Sequence, residues 1–240
     1  MRDLEARRAE LAANLERVRR RISQAARASG RGEEPKLIVV TKFHPAGDVR
    51  LLAELGVTDV GENRDQEASA KAAELAGLEL SWHFIGQLQS NKAKSVVRYA
   101  DTVHSVDRSS LVTALAKAAA HEPSRAGRPP LACLLQVNLD EDAVSGRGGA
   151  LPAELARLGD LVADAEGLRL AGVMAVAPLG EDPARAFERL SACAAKLRAD
   201  HPDARMVSAG MSQDLEQAIA AGATHVRIGT DVLGPRPRVL

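Results

Sequence analysis

From residue 36 onward, short apolar runs alternate with longer stretches in which apolar residues recur at helical spacing. Eight runs have the length and flanks of strands: "KLIVVTK", "TDVGEN", "SWHFIGQ", "DTVHSV", "LACLLQVNLD", "LRLAGVMAVA", "RMVSAG" and "HVRIGT". Helical stretches separate them: "AGDVRLLAELG", "RDQEASAKAAELA", "NKAKSVVRYA", "RSSLVTALAKAAAHE", "LPAELARLGDLVADAE", "DPARAFERLSACAAKLRAD" and "SQDLEQAIAAG". Ahead of them, Leu4, Leu11, Leu15, Val18 and Ile22 fall at helical spacing among charges, which predicts an amphipathic helix within residues 1–30. Strands alternating with helices over short links imply a parallel sheet. Eight such units in 240 residues predict an α/β fold, a closed (β/α)8 TIM barrel with an extra N-terminal helix packed on it. A doubly wound open sheet is the rival, but it has fewer strands, and no Gly-rich dinucleotide fingerprint follows the first strand here. Loops at 121–130 and 140–152 read as insertions around the fifth strand, so residues 1–240 are expected to form one domain.

Composition removes several classes of function. Lysine plus arginine and aspartate plus glutamate number 32 each, which argues against capture of nucleic acid or an anionic membrane by bulk charge. Aromatic residues make up 2% of the chain, too few for base-stacking platforms. Cys133 and Cys193 fall inside a predicted strand and helix and read as small buried apolar residues, not a disulfide, in keeping with a cytoplasmic protein. No apolar stretch approaches the ~20 residues of a membrane span. Asp3, Glu5 and Glu10 among the first arginines fit neither a signal nor a transit peptide. The Arg19-Arg20-Arg21 run reads as the solvated face of the first helix.

In a barrel of this kind chemistry gathers where the strands end. Those ends carry Lys42, Glu62 and Asn63, His83 with Gln87, Ser105, Asn138, Met174, then Ser208, Gly210 and Ser212, and last Arg227, Gly229 and Thr230. "SAGMSQD" closes strand seven and opens a helix whose N-cap is expected at Ser212, leaving N–H groups free for an anion. "RIGTDVLG" adds a second small-residue turn after strand eight. Loops after strands seven and eight are the habitual phosphate site of this fold. The plainer alternative is that Gly210 and Gly229 ease turns and Ser212 caps a helix. Lys42, from strand one, adjoins strand eight once the barrel closes, and a partly desolvated amine there suits attack on an aldehyde. Pyridoxal 5′-phosphate satisfies both features; so does an aldolase-type lysine acting on a sugar phosphate.

"VTKFHP", "GENRDQE", "WHFIGQLQSNK", "QVN", "GVMAVAP", "GMS" and "RIGT" resemble, in order, the motifs of the YggS/PROSC-type pyridoxal phosphate homeostasis proteins. These are relatives of the alanine-racemase N-terminal barrel domain, and the likeness spans roughly residues 36 to 237. The resemblance implies pyridoxal phosphate carried as a Schiff base on Lys42, with Ser212, Gly229 and Thr230 at its phosphate and Ser208, Gly210 and Met211 in the same turn. It places Arg227 at the pyridine nitrogen, Asn63 near the ring, and His83 and Met174 along the pocket. Phe43 stands where many members have threonine, "SAGMS" replaces "SMGMS", and Leu233 replaces a frequent phenylalanine. The 140–149 loop lacks a lysine common in relatives, with Ser145 near its place.

What the resemblance implies about activity is binding and distribution of the vitamer without an established reaction. An arginine at the ring nitrogen makes a poor electron sink. Racemisation also needs a second acid/base opposite the lysine. Racemase relatives take it from an additional domain, for which the 240 residues leave no room, and Tyr99, the only tyrosine, closes the helix before strand four. The expectation is a monomeric, cytoplasmic carrier that passes the cofactor to apo-enzymes; the alternative is a fold-type III amino-acid racemase.

Overall fold

Each of the eight apolar runs forms a strand in the computed structural model, which describes residues 2–140 and 148–235. The strands are β1 (Lys36–Val40), β2 (Asp59–Glu62), β3 (Ser81–Phe84), β4 (Thr102–Val106), β5 (Leu131–Gln136), β6 (Leu168–Met174), β7 (Met206–Ser208) and β8 (His225–Ile228). Neighbours in sequence pair in parallel, and β8 pairs with β1, so the sheet closes into the expected barrel. The helices are α1 (Arg2–Ala28), α2 (Ala46–Glu54), α3 (Asp65–Glu74), α4 (Ala93–Tyr99), α5 (Ser109–Ala120), α6 (Leu155–Ala163), α7 (Pro183–Asp200), α8 (Leu215–Ala220) and a short α9 (Thr230–Leu233). In the runs predicted as the fourth and sixth helices, 3-10 turns at Ser90–Lys92 and Pro152–Glu154 precede α4 and α6. Ser145 lies outside the described residues.

The pleat sorts each strand into two faces. Val39, Val60, Trp82, Val103, Cys133, Val207 and Val226 face outward into one large core shared with the helices. The residues between them face the barrel axis. There Ala132, Leu134, Ala171 and Met174 form a separate apolar cluster, with Met206 against it. Ala171 and Met174 share the axis despite their odd spacing because β6 carries a bulge: Cys133 pairs with Leu170 and Leu134 with Gly172. Gly172 sits at φ +148°, and a Cβ there would lie 1.9 Å from the Met206 carbonyl oxygen.

Helix α1 lies across α8, α9 and α2. It buries Leu11, Leu15, Val18 and Ile22 while Leu4 stays 60% exposed. Four aliphatic side chains at about 1.5–3 kcal/mol each make this a substantial attachment. Its arginines are only partly a solvated face. Arg20 pairs with Glu16 on the surface, but Arg19 donates to the Leu55 and Gly56 carbonyls, and Arg21 reaches α8 and α9. The flank of a helix laid against other helices is within reach of their polar ends, which the charge run itself does not reveal. Both cysteines are free, with Cys133 buried. Among the described residues no helix is long and apolar enough to cross a membrane, and no metal-ligating cluster forms.

Candidate functional site

The carboxyl ends of β1, β5, β6, β7 and β8 surround a cavity of about 1010 Å³. Lys42, Met211, Ser212, Arg227, Gly229 and Thr230 all line it, together with Asn138 and Gln87. Five other expected site residues do not. Asn63 follows β2 and lines a neighbouring groove with Arg64 and Gln87. His83 and Met174 point into the barrel axis beneath the cavity, and Ser208 lies fully buried under Arg227. Gly210 shapes a turn without facing the cavity. Ser105 is buried in β4, and its hydroxyl has no partner among the described residues. Tyr99 closes α4, and its hydroxyl donates to Asp65 Oδ1 at 3.4 Å, away from the cavity.

Lys42 stands two residues beyond β1 in a turn that the structure over-determines. Phe43 takes φ +69°, unusual for a bulky side chain, and the Arg64 guanidinium sits 5.0 Å above its ring. Below the turn, Lys71 Nζ donates to the Thr41 carbonyl (2.8 Å), Glu62 Oε1 (2.7 Å) and Glu67 Oε1 (2.6 Å). Thr41 Oγ1 donates to the same Glu62 oxygen, and the Phe43 N–H donates to Glu67. Glu62 is 1% exposed, and its second oxygen has no partner among the described residues. Burial pushes its carboxyl upward, opposed by Lys71 and Thr41.

The turns after β7 and β8 come close to the cavity because glycine permits it. Gly210, at φ +93°, would place a Cβ 2.7 Å from that of Ala218, so β7 hands over to α8 at close range. A Cβ on Gly229 would lie 3.2 Å from the Val40 carbonyl, where β8 meets β1. Ser212 does not cap the following helix. α8 begins at Leu215, and residues 212–214 form a turn closed by Asp214, whose Oδ1 accepts the Met211 N–H at 2.6 Å. Ser212 lies three residues before Leu215, too early to bond the N–H groups of the first helical turn, and Asp214, the residue before α8, makes no side-chain cap bond, its carboxylate turning back to Met211 instead. The Ser212 hydroxyl is thereby left on the cavity wall.

Arg227 is 4% exposed and fixed on two sides: Nη1 donates to Ser208 Oγ (2.7 Å) and Nη2 to the Ala175 carbonyl (2.9 Å). Burial pulls its pKa down to about 10, so it stays cationic at neutral pH. Below it, Ser208 Oγ meets His104 Nδ1 (3.0 Å), His104 Nε2 meets His83 Nδ1 (2.9 Å), and His83 Nε2 meets Asp59 Oδ1 (3.0 Å). The proton assignments follow from the ends. Asp59 only accepts and Arg227 only donates, so Ser208 donates to His104, His104 to His83 and His83 to Asp59. Both imidazoles are then neutral with every nitrogen used. Burial drives His104 far below its ordinary value, in agreement. Burial alone would raise the Asp59 carboxyl, but bonds from His83 and Thr58 outweigh it and hold the group well below the carboxylate range.

The site thus presents an amine, two hydroxyls on small-residue turns and a fixed guanidinium on one cavity, a donor set suited to a phosphorylated aldehyde with a ring acceptor. This defines a class: a (β/α)8 barrel with small-residue, hydroxyl-bearing turns after its last two strands and a lysine after its first. The alanine racemase N-terminal domain family matches residues 13–237, and the chain belongs to it, within its branch of pyridoxal phosphate homeostasis proteins. The pyridoxal phosphate homeostasis protein of Mycobacterium tuberculosis is 46% identical over 96% of this chain and 94% of its own length. That of Escherichia coli is 38% identical over 95% of this chain and 97% of its own. PipY from Synechococcus elongatus, solved with pyridoxal phosphate bound, superposes with a TM-score of 0.79 at 35% identity, covering 93% of this chain and all of PipY (100%). Alanine racemase from Corynebacterium glutamicum shares the fold at 16% identity and TM-score 0.66, with this chain spanning 62% of it.

Proposed function

We propose that this chain binds pyridoxal 5′-phosphate through Lys42 and serves its intracellular homeostasis in the cytoplasm, without turnover of amino acids. The observation that carries the reading is the convergence of Lys42, Ser212, Thr230 and Arg227 on a single cavity. Relatives at 38–46% identity bear the homeostasis name, and PipY holds the cofactor, which supports it. Ser212, Thr230 and the backbone at Gly229 would hold the phosphate, with Met211 beside them. Arg227 would meet the ring nitrogen, while Gly210 and Ser208 act from behind as a turn and as a guanidinium support. When bound, the cofactor supplies an aldehyde that condenses reversibly with an amine and absorbs visible light.

Two features of this chain favour holding over turnover. A guanidinium has donors only, so Arg227 takes an unprotonated ring nitrogen and leaves the ring a weak electron store. The sole tyrosine is bonded to Asp65, and His83 is committed to Asp59 and His104, so neither reaches the cavity as a second acid/base. Recipient apo-enzymes would draw the cofactor through the open mouth, and the chain would act as a monomer. The test is a visible spectrum with added pyridoxal phosphate, followed by borohydride reduction and peptide mapping. A band with the label on Lys42, and no change in optical rotation of L-alanine or L-serine, is the expected outcome. No label on Lys42 sinks the binding reading; racemisation that depends on Lys42 sinks the non-catalytic one.

A further inference from the structure

Arg21 lies on α1, outside the cavity, yet it joins both turns proposed to hold the phosphate. Its Nη2 donates to the Ser212 carbonyl (3.0 Å) and to Glu216 Oε2 (3.1 Å), Nε donates to Glu216 Oε1 (2.9 Å), and Nη1 donates to Asp231 Oδ2 (2.8 Å). Ser212 and Glu216 belong to the turn after β7 and to α8; Asp231 belongs to α9, which opens at Thr230. Neighbours on the same helix strengthen the fastening: Asn14 donates to the Val232 carbonyl, Arg17 to that of Asp231 and Arg7 to that of Leu233.

We propose that Arg21 is a positioning residue for anion binding, a three-way clasp that fixes the Ser212 turn and the Thr230 turn relative to each other. The inference rests on the phosphate reading of those turns. Its geometry gives it a specific effect. A trans peptide points its C=O and the next N–H in opposite directions. Holding the Ser212 carbonyl toward α1 therefore aims the Gln213 N–H away from α1, on the side where Ser212 and Gln213 line the cavity. Bulk attraction is not the role. Arg21 is matched by two carboxylates, so the cluster carries a net charge of about −1 and does not itself draw in an anion. Without the arginine those carboxylates stand unneutralised behind the turns and repel a phosphate.

The experiment compares Arg21→Ala, Arg21→Lys and wild type in titrations with pyridoxal phosphate and with pyridoxal, which keeps the aldehyde and lacks the phosphate. Losing a charge-assisted clasp on a phosphate-holding peptide should weaken pyridoxal phosphate by about tenfold and pyridoxal by less than about twofold. Arg21→Lys falls between, since an ammonium lacks the fork that reaches three acceptors. Equal losses for both ligands, or none, overturn the proposal; should Arg21→Ala fail to fold, the same two outcomes are read on Arg21→Lys. The triple variant Arg21→Ala/Glu216→Gln/Asp231→Asn separates orientation from charge. It stays weak if the clasp acts by geometry, and recovery to wild-type affinity overturns that. A wild type that binds both ligands equally well refutes the phosphate cup itself, a different failure from any confined to the variants.

Discussion

Replacing Lys71 by methionine removes a charge and keeps an unbranched chain of similar length, so it isolates what the ammonium does beneath the Lys42 turn. Lys71 is 6% exposed and satisfies the Thr41 carbonyl, Glu62 and Glu67 at once. Its loss leaves Glu62, 1% exposed, with only the Thr41 hydroxyl. Breaking a buried pair by removing one partner costs about 3–5 kcal/mol, and that is the expected loss at neutral pH. The pH dependence follows from the direction of the Glu62 shift. Burial already raises its folded pKa, and losing Lys71 raises it further. Between the unfolded value, about 4.3, and the raised folded one, the folded state keeps a proton that the unfolded state releases. Stability therefore falls as pH rises through that window, and the deficit of Lys71→Met shrinks in mild acid. Urea unfolding followed by the fluorescence of Trp82, the sole tryptophan and 6% exposed, measures it. The double variant Lys71→Met/Glu62→Gln should regain most of the loss, since no buried charge remains unpaired. A deficit below about 1 kcal/mol, or one that is flat with pH, would refute the account of this cluster.

Three further outcomes are expected. His104→Leu leaves the Ser208 hydroxyl proton without its acceptor and His83 Nδ1 without its donor in the barrel axis, while Arg227 still donates to Ser208, and should lower stability by about 2–4 kcal/mol, read by the same unfolding assay. Gly172→Ala forces a Cβ to 1.9 Å from the Met206 carbonyl at φ +148° and should abolish soluble expression or shift the melting temperature sharply downward; an unshifted melt contradicts the bulge. Burial lowers the folded pKa of His104 and takes that of His225 to about 4, so the unfolded chain binds more protons in acid. Stability should then fall as pH drops from about 6.5 toward 4, measured by thermal melts across that range.

All eight strands and the order of the helices were legible, because length and apolar spacing survive without knowledge of contacts. At the site, the expected residues that reach the cavity are those where chain order and spatial order coincide: Lys42, Ser212, Arg227, Gly229 and Thr230 follow their strands directly onto it. His83 misled because β3 runs on: it pairs with Gly61 inside the sheet, and Ile85, two residues later, is the one on the cavity. Met174 faces inward only because the Gly172 bulge shifts the pleat by one residue, and it then packs in the axis cluster beneath the cavity, an arrangement with no pattern signal beyond a glycine in a strand. The N-cap moved because residues 212–214 form a turn before α8 opens at Leu215, and the Asp214 carboxylate closes that turn on the Met211 N–H, a contact that the spacing alone does not reveal. The Lys71 cluster and the Arg21 clasp were invisible for another reason. Apart from the i,i+4 pair of Lys71 with Glu67, their partners lie 9 to 30 and 191 to 210 residues away, separations that no local periodicity encodes.

The barrel axis raises the question of why a core carries Asp59, His83, His104, Ser208 and Arg227 when aliphatic side chains of similar volume would be at least as stable. Their order supplies an answer. The column has one acceptor-only end and one donor-only end, so every hydroxyl and imidazole between them has a single satisfied orientation. Turning any member over leaves a buried donor facing a donor. Arg227 is thereby held by Ser208, which His104 and His83 hold in turn, down to Asp59, itself paired with Lys36 at the far end of the barrel. What the column provides beyond stability is one direction for a guanidinium on the cavity wall, before any ligand arrives. A guanidinium already held in one direction lowers the ordering cost of any ligand that it meets on the cavity wall.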